Sequence, residues 1–180
     1  QNDPFDLAVL HYKDAVDHEF FFHAMRTGEL VVPGKDAIFD KEIKNTADFW
    51  SINLYTREMV DARKANFSSK RYPFTETRML PMHFYLDEFF PECMIHNLTR
   101  LMDKPVYITE NGCSCDNDDF RIVYLTEYLC ALSEAIKAGV DVRGYLYWSL
   151  LDNYEWWTFI PRFGLVSVDK ENNFKRIPKP

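Results

Sequence analysis

The sequence predicts an α/β chain built on a parallel sheet. Three short runs, residues 49–55, 106–109 and 142–148, are rich in β-branched and aromatic side chains and have the length of buried strands. The second and third are separated by a polar connection and one long helical pattern, which is the order of a βαβ unit with adjacent parallel strands. The runs end in polar and aromatic residues, and the carboxyl ends of parallel strands are where chemistry sits in this class.

Taken in order, residues 6–29 read as a helix. Leu7, Leu10, Tyr12, Ala15, Val16, Phe20, Phe22 and Met25 crowd it with apolar groups, and Gly28 supplies the stop. Residues 31–35 contain Pro33 and Gly34 and form a break. Residues 41–46 are a short helix or turn. Residues 57–80 are charged and polar with scattered aromatics, and a loop of that length is functional or mobile as a rule. Residues 91–102 fit a helix that leads into the second strand. Residues 111–119 are a polar connection with several N-cap candidates. The clearest helix covers residues 120–138, with Leu125, Tyr128, Leu129, Leu132, Ala135 and Ile136 as its apolar stripe and Gly139 behind its last turn. Three parallel strands leave a sheet with two open edges, not a closed barrel.

Bulk properties narrow the function. A net charge of -7 argues against a nucleic-acid partner, which wants a basic face. No apolar run approaches the ~20 residues of a membrane span, and no signal peptide opens the chain. The four cysteines Cys93, Cys113, Cys115 and Cys130 lack the paired spacing of a zinc site, so no metal is expected. Free thiols favour a reducing, cytoplasmic compartment over a secreted one. The chain opens at Gln1 and closes at Pro180, and neither end reads as a natural terminus.

The segment Pro105-Val-Tyr-Ile-Thr-Glu-Asn-Gly112 places a carboxylate at a strand end. Glu110 is there a candidate nucleophile, base or acid. The alternative is that Glu110 starts a turn whose chemistry Asn111 and Gly112 provide. The third strand runs into Trp148-Ser-Leu-Leu-Asp-Asn-Tyr-Glu-Trp-Trp157, which joins a carboxylate to three indoles. A sugar ring is apolar on its C–H face and ringed by hydroxyls, so an indole takes the face and a carboxylate accepts from adjacent hydroxyls. A core aromatic cluster with one surface Glu is the competing reading. Asn53 and Tyr55 share a face by strand alternation. Tyr55 there either hydrogen-bonds a carboxylate or packs as core.

These motifs resemble the C-terminal part of family 1 glycoside hydrolases, the β-glucosidase family. The residues that carry the resemblance are Ile108-Thr-Glu-Asn-Gly112, the run Arg143-Gly-Tyr-Leu-Tyr-Trp-Ser-Leu-Leu-Asp-Asn-Tyr-Glu-Trp156, and Arg162-Phe-Gly-Leu-Val166. Arg121, Tyr124 and Leu125 also fit, as do Asp48 and Phe49 before Asn53 and Tyr55, and Pro91-Glu92 before the second strand. The resemblance implies a (β/α)8 TIM barrel of which residues 1–180 are one partial domain, about the last three β/α units. It implies Glu110 as catalytic nucleophile and Tyr55 as the tyrosine that hydrogen-bonds it. It implies Glu155 as the acid that grips two sugar hydroxyls, Trp148 and Trp156 as the indoles that floor and flank the sugar, Phe163 as an aromatic wall, and Asn53 as a polar neighbour of the centre.

The implied activity is hydrolysis of β-linked glucosides or galactosides with retention, by double displacement, without metal or cofactor. The implied partners are a β-glycoside or oligosaccharide and the N-terminal half of the barrel, on the same or a separate chain. The family carries its acid/base in an Asn-Glu-Pro motif of that half, and this sequence has none. A non-catalytic sugar-binding or interaction remnant, and a self-associating half barrel, are the other readings. The sequence departs from the family at Leu54, where a second aromatic is usual. Between Glu155 and Phe163 it is one residue shorter, and Trp157-Thr-Phe-Ile-Pro161 replaces a small, glycine-containing stretch.

Overall fold

The computed structural model describes residues 3–63 and 88–180. They fall into two compact units, residues 3–48 with 58–63, and residues 49–57 with 88–180. The expected loop over residues 57–80 lies outside the described residues from 64 onward, and residues 57–63 carry no helix or strand.

The first unit begins with helix α1, Pro4–Asp14. Asp3 caps it by accepting from the Phe5 amide at 2.8 Å, and Pro4 occupies the first turn, where a missing N–H costs nothing. The helix is continuous with a π-helical stretch, Ala15–Glu19, and with α2, Phe20–Thr27. Gly28 closes α2 at φ +84°, its amide donating to the Ala24 carbonyl at 2.8 Å. The expected break at residues 31–35 is the turn of a short antiparallel hairpin, β1 (Glu29–Leu30) with β2 (Ile38–Phe39). Two-residue strands leave too little alternation to be seen in sequence.

The second unit holds the parallel sheet: β3 (Trp50–Asn53), β4 (Val106–Asn111) and β5 (Val142–Tyr147), in the order β3-β4-β5. All three expected strands form, with β4 central and both pairings parallel. β3 stops at Asn53, two residues before the expected end, where the register shifts and Asn53 pairs with Glu110. The expected helix over 91–102 is shorter: α3, Cys93–Leu98, passes into a 3₁₀ turn, Thr99–Leu101.

Helix α4, Asp118–Lys137, is capped by Asn117 and returns the chain from β4 to β5. Its buried face is Arg121, Tyr124, Tyr128, Ala131, Leu132 and Ala135. The expected stripe is therefore rotated: Leu129 and Ile136 are 40% and 49% exposed. At about 100° per residue these two sit roughly 90–110° from the centre of the buried row, so their apolar character was no guide to the face. Tyr124 and Tyr128 stack at 4.2 Å, and Phe89 packs on both. After β5 a second unforeseen hairpin follows, β6 (Val166–Asp169) with β7 (Lys175–Pro178). No helix among the described residues is long and apolar enough to cross a membrane.

Backbones approach closely where β4 ends. A Cβ built on Gly112 falls 1.9 Å from the Trp148 carbonyl oxygen. Only glycine permits the Trp148 amide to donate to the Asn111 carbonyl at 2.8 Å while the chain turns. Gly112→Ala is expected to destabilise the chain by ~3 kcal/mol or more. Urea unfolding measures this, and a loss under ~1 kcal/mol would show that the β4 and β5 ends can separate freely.

Candidate active site

Glu110 is the penultimate residue of β4, the strand between β3 and β5. Its Oε2 accepts from the Tyr55 hydroxyl at 2.8 Å. Its backbone carbonyl accepts from the Leu54 amide at 2.9 Å, so the side chains at 53–55 are hung directly on the strand that bears Glu110. Burial, and then the hydrogen bond to Glu110, push the Tyr55 hydroxyl well above its usual range, with the charge of Glu155 adding to the effect. Tyr55 thus stays a proton donor at any working pH. Glu110 Oε1 makes no hydrogen bond to a described residue.

Asn53 is exposed, and its Oδ1 lies 2.8 Å from the Thr109 hydroxyl, the neighbour of Glu110. Asn111 is fully buried and binds three elements together. Its Nδ2 donates to the Leu54 carbonyl at 2.7 Å and to the Tyr124 hydroxyl at 3.1 Å, while Tyr145 donates to its Oδ1 at 2.6 Å. Asn111 is therefore more than a turn residue: it ties β3, α4 and β5 at the level of Glu110.

The loop after β5 forms the second cluster. Trp148 Nε1 donates to Glu155 Oε1 at 2.7 Å, and Asn153 Nδ2 donates to the same oxygen at 2.8 Å. Glu155 is buried, and its Oε2 has no partner among the described residues. Phe163 is buried too, at 7% exposure. Trp156, by contrast, is 76% exposed and makes no hydrogen bond or ring contact with a described residue. Trp156 and Trp157 form a two-residue hairpin turn: Glu155 and Thr158 exchange backbone hydrogen bonds at 2.8 and 3.0 Å, with φ +38° and +77° at the two indoles. Both central φ values are positive, as in a type I′ turn, a conformation that favours Asn-Gly. The turn places left-handed backbone at two tryptophans.

Arg121 joins these clusters. Its side chain is 4% exposed. Nη1 donates to the carbonyls of Cys113 at 2.9 Å and Phe163 at 3.1 Å and reaches the Tyr147 hydroxyl at 3.1 Å. Nη2 donates to the carbonyls of Cys115 and Arg162, and Nε to Asp118. The sequence marked Arg121 only as part of a pattern. An arginine at the fourth position of an amphipathic helix, followed at i+3 by a buried tyrosine, was the available signal for a buried charge.

Two hollows of about 580 and 600 Å³ lie beside the loops after β4 and β5, and neither is lined by Glu110 or Tyr55. A three-stranded sheet does not by itself wall off the ground in front of Glu110. No group of three or more His, Cys, Asp or Glu among the described residues could hold a metal ion.

A family model described as glycosyl hydrolase family 1 matches residues 23–180. The chain belongs to that family. A beta-galactosidase of Saccharolobus solfataricus is 34% identical over 183 residues, covering 96% of this chain and 37% of that protein. The solved beta-glycosidase from Pyrococcus horikoshii superposes with a TM-score of 0.86 at 30% identity, over 99% of this chain and 42% of its own. A beta-glucosidase from Thermotoga maritima in complex with castanospermine gives 0.80 at 26% identity, over 99% and 45%. These relatives fix the fold: the three-stranded sheet and its helices are the C-terminal portion of a (β/α)8 barrel. The chain spans between 37% and 45% of the length of these three relatives.

Two changes probe this site. Trp157→Gly is expected to raise stability by about 0.5–1 kcal/mol, since left-handed backbone costs an L-residue ~1–2 kcal/mol and glycine's extra unfolded-state entropy returns part of that. A lower urea midpoint would instead show that the indole packs. Arg121→Met is expected to cost ~4 kcal/mol or more, because several buried carbonyls lose their donors together. An unfolding midpoint near that of the parent would refute the clamp.

Proposed function

We propose that this chain is the nucleophile-bearing part of a retaining β-glycosidase acting on β-linked glucosides or galactosides. Family membership supports the reaction class. The observation that carries the assignment is the Tyr55–Glu110 pair at the end of β4, with one carboxylate oxygen held at 2.8 Å and the other without a described partner. A nucleophile needs that asymmetry: one oxygen fixed, one open to attack.

In the proposed reaction Glu110 Oε1 attacks the anomeric carbon. A C–O bond to the enzyme forms as the glycosidic C–O bond breaks, and an acid on the opposite side protonates the leaving oxygen. Water, deprotonated by the same group, then displaces Glu110 and releases the sugar with retained configuration. Glu155 grips two sugar hydroxyls through its Oε2, Trp148 floors the ring while its Nε1 orients Glu155, and Trp156, Phe163 and Asn53 complete the pocket. The acid/base, set ~5–5.5 Å from Glu110 as retention requires, comes from the N-terminal half of the barrel, on the same or a separate chain. That half and residues 1–180 then make one barrel domain, and no cofactor takes part.

A second reading rests on the absence of an Asn-Glu-Pro motif from this sequence. A chain acting by itself would bind a β-glycoside through Glu155 and Trp148 without turning it over.

A 2-fluoro glycoside with a highly activated leaving group separates the two, because it needs the nucleophile and little help from an acid. One sugar adduct per chain, located on Glu110 by peptide mapping and absent in Glu110→Gln, is the expected result. Tyr55→Phe should slow labelling roughly 10- to 100-fold through misplacement of the carboxylate. No adduct in a folded chain, in the presence of the N-terminal half, would remove the nucleophile assignment and leave the binding reading.

A further inference from the structure

We infer that Cys113 and Cys115 form a redox-active dithiol, which hydrogen peroxide converts to an internal disulfide in the loop that follows Glu110. The two sulfurs are fully buried and lie 3.8 Å apart, in contact. The backbone around them is held from one side: the Arg121 guanidinium takes the carbonyls of both residues. A cation is thus lodged against a pair of thiols that the glycosidase reading does not use.

The other two cysteines provide the contrast. Cys93 is buried, no cation among the described residues figures in its electrostatics, and burial pushes its thiol up to about 12, the environment of an inert structural cysteine. Cys130 is exposed on α4. Cys115 differs from both. The hydrogen bond from Cys113 pulls it down to about 7, and the charge of Arg121 acts in the same direction against burial. Cys113 moves the opposite way through the same bond and through burial, so the shared proton resides there. The pair is thereby divided into an attacking sulfur, Cys115, and a resolving one, Cys113. Cys115 borders the hollow of about 600 Å³ lined by Asp116, Asp118, Asp152 and Arg162, yet its surface is closed to water, so peroxide reaches the thiol only when the loop opens locally.

The chemistry balances with peroxide as the one co-reactant. The Cys115 thiolate attacks an oxygen of hydrogen peroxide; an S–O bond forms, the O–O bond breaks, and hydroxide leaves and takes up a proton. The Cys113 sulfur then attacks the sulfenic sulfur of Cys115; the S–S bond forms, the S–O bond breaks, and the Cys113 proton departs with the oxygen as water. Two thiols and one peroxide yield one disulfide and two waters. Closure draws the sulfurs from 3.8 Å to about 2 Å. Gly112 has no room to follow because it abuts the Trp148 carbonyl, so the movement falls on Cys115 and on the Arg121 bonds to Cys115 and Arg162. Its effect on sugar handling rests on the roles proposed for Glu110 and Phe163; the dithiol chemistry does not.

The test uses the full chain carrying Cys130→Ser, treated with hydrogen peroxide under folded conditions and weighed intact after denaturation. The expected product has lost about 2 Da and two alkylatable thiols. The link maps to the tryptic peptide 101–121, and dithiothreitol reverses it. Cys113→Ser should trap a sulfenic acid on Cys115 that dimedone labels, and Cys115→Ser should leave Cys113 unreacted. Circular dichroism establishes that each variant is folded, and the parent dithiol is read without them. Oxygen added to one sulfur while the other stays alkylatable overturns the inference. So does a folded parent chain in which both thiols survive peroxide that oxidises them after unfolding. Because mass and thiol count are read without any glycoside, failure here leaves the glycosidase reading untouched, and failure of that reading leaves the dithiol standing.

Discussion

Arg121 carries a full positive charge where water hardly reaches, and the loops at the carboxyl end of the sheet are organised by the need to satisfy it. A buried guanidinium is costly unless each N–H finds an acceptor. Here the acceptors are four backbone carbonyls, the Tyr147 hydroxyl and Asp118. The carbonyls come from two stretches distant in sequence, Cys113 with Cys115 and Arg162 with Phe163. One side chain on α4 thus bridges the loop after Glu110 and the loop after Glu155, beside two direct bonds between them: the Arg162 amide donates to the Ser114 hydroxyl at 2.9 Å and the Cys115 amide to the Arg162 carbonyl at 3.3 Å. Neither loop contains helix or strand that could hold it in place by its own ladder.

The parallel sheet does the complementary work. Because β3, β4 and β5 run the same way, Tyr55, Glu110 and Trp148 emerge at one end, each within two residues of the last strand residue. Asn111 then locks that end by binding β3, α4 and β5 at once. A carboxylate held by Tyr55 on one oxygen, and a second carboxylate held by Trp148 and Asn153 on one oxygen, follow from this arrangement. Each retains one oxygen without a partner among the described residues. The open edges of β3 and β5 are what a three-stranded portion of an eight-stranded barrel must show.

Much of this was legible in sequence. The three strands, their parallel sense and the long helix between β4 and β5 were readable, because each rests on a local pattern; the pairing of Tyr55 with Glu110 came only with the family resemblance, since strand alternation by itself left Tyr55 open between bonding a carboxylate and packing as core. The two hairpins were not, since strands of two to four residues carry almost no periodic signal. The face of α4 was misjudged for a physical reason: Leu129 and Ile136 are apolar yet exposed, while Arg121 is charged yet buried. Hydrophobicity alone ranks those three residues in the wrong order.

The amino-acid sequence by itself determined the chemical inventory, the order of the elements and the family, because these depend on residue identity and spacing along one chain. Only the tertiary structure decided which oxygen of Glu110 and of Glu155 is occupied, that Trp156 and Trp157 turn through left-handed backbone, and that two cysteine sulfurs meet beside a buried guanidinium. Those outcomes depend on distances between segments far apart in the chain. Such distances are set by the close approach of the β4 and β5 ends at Gly112 and by the acceptors that Arg121 gathers, and no local pattern of residues encodes them.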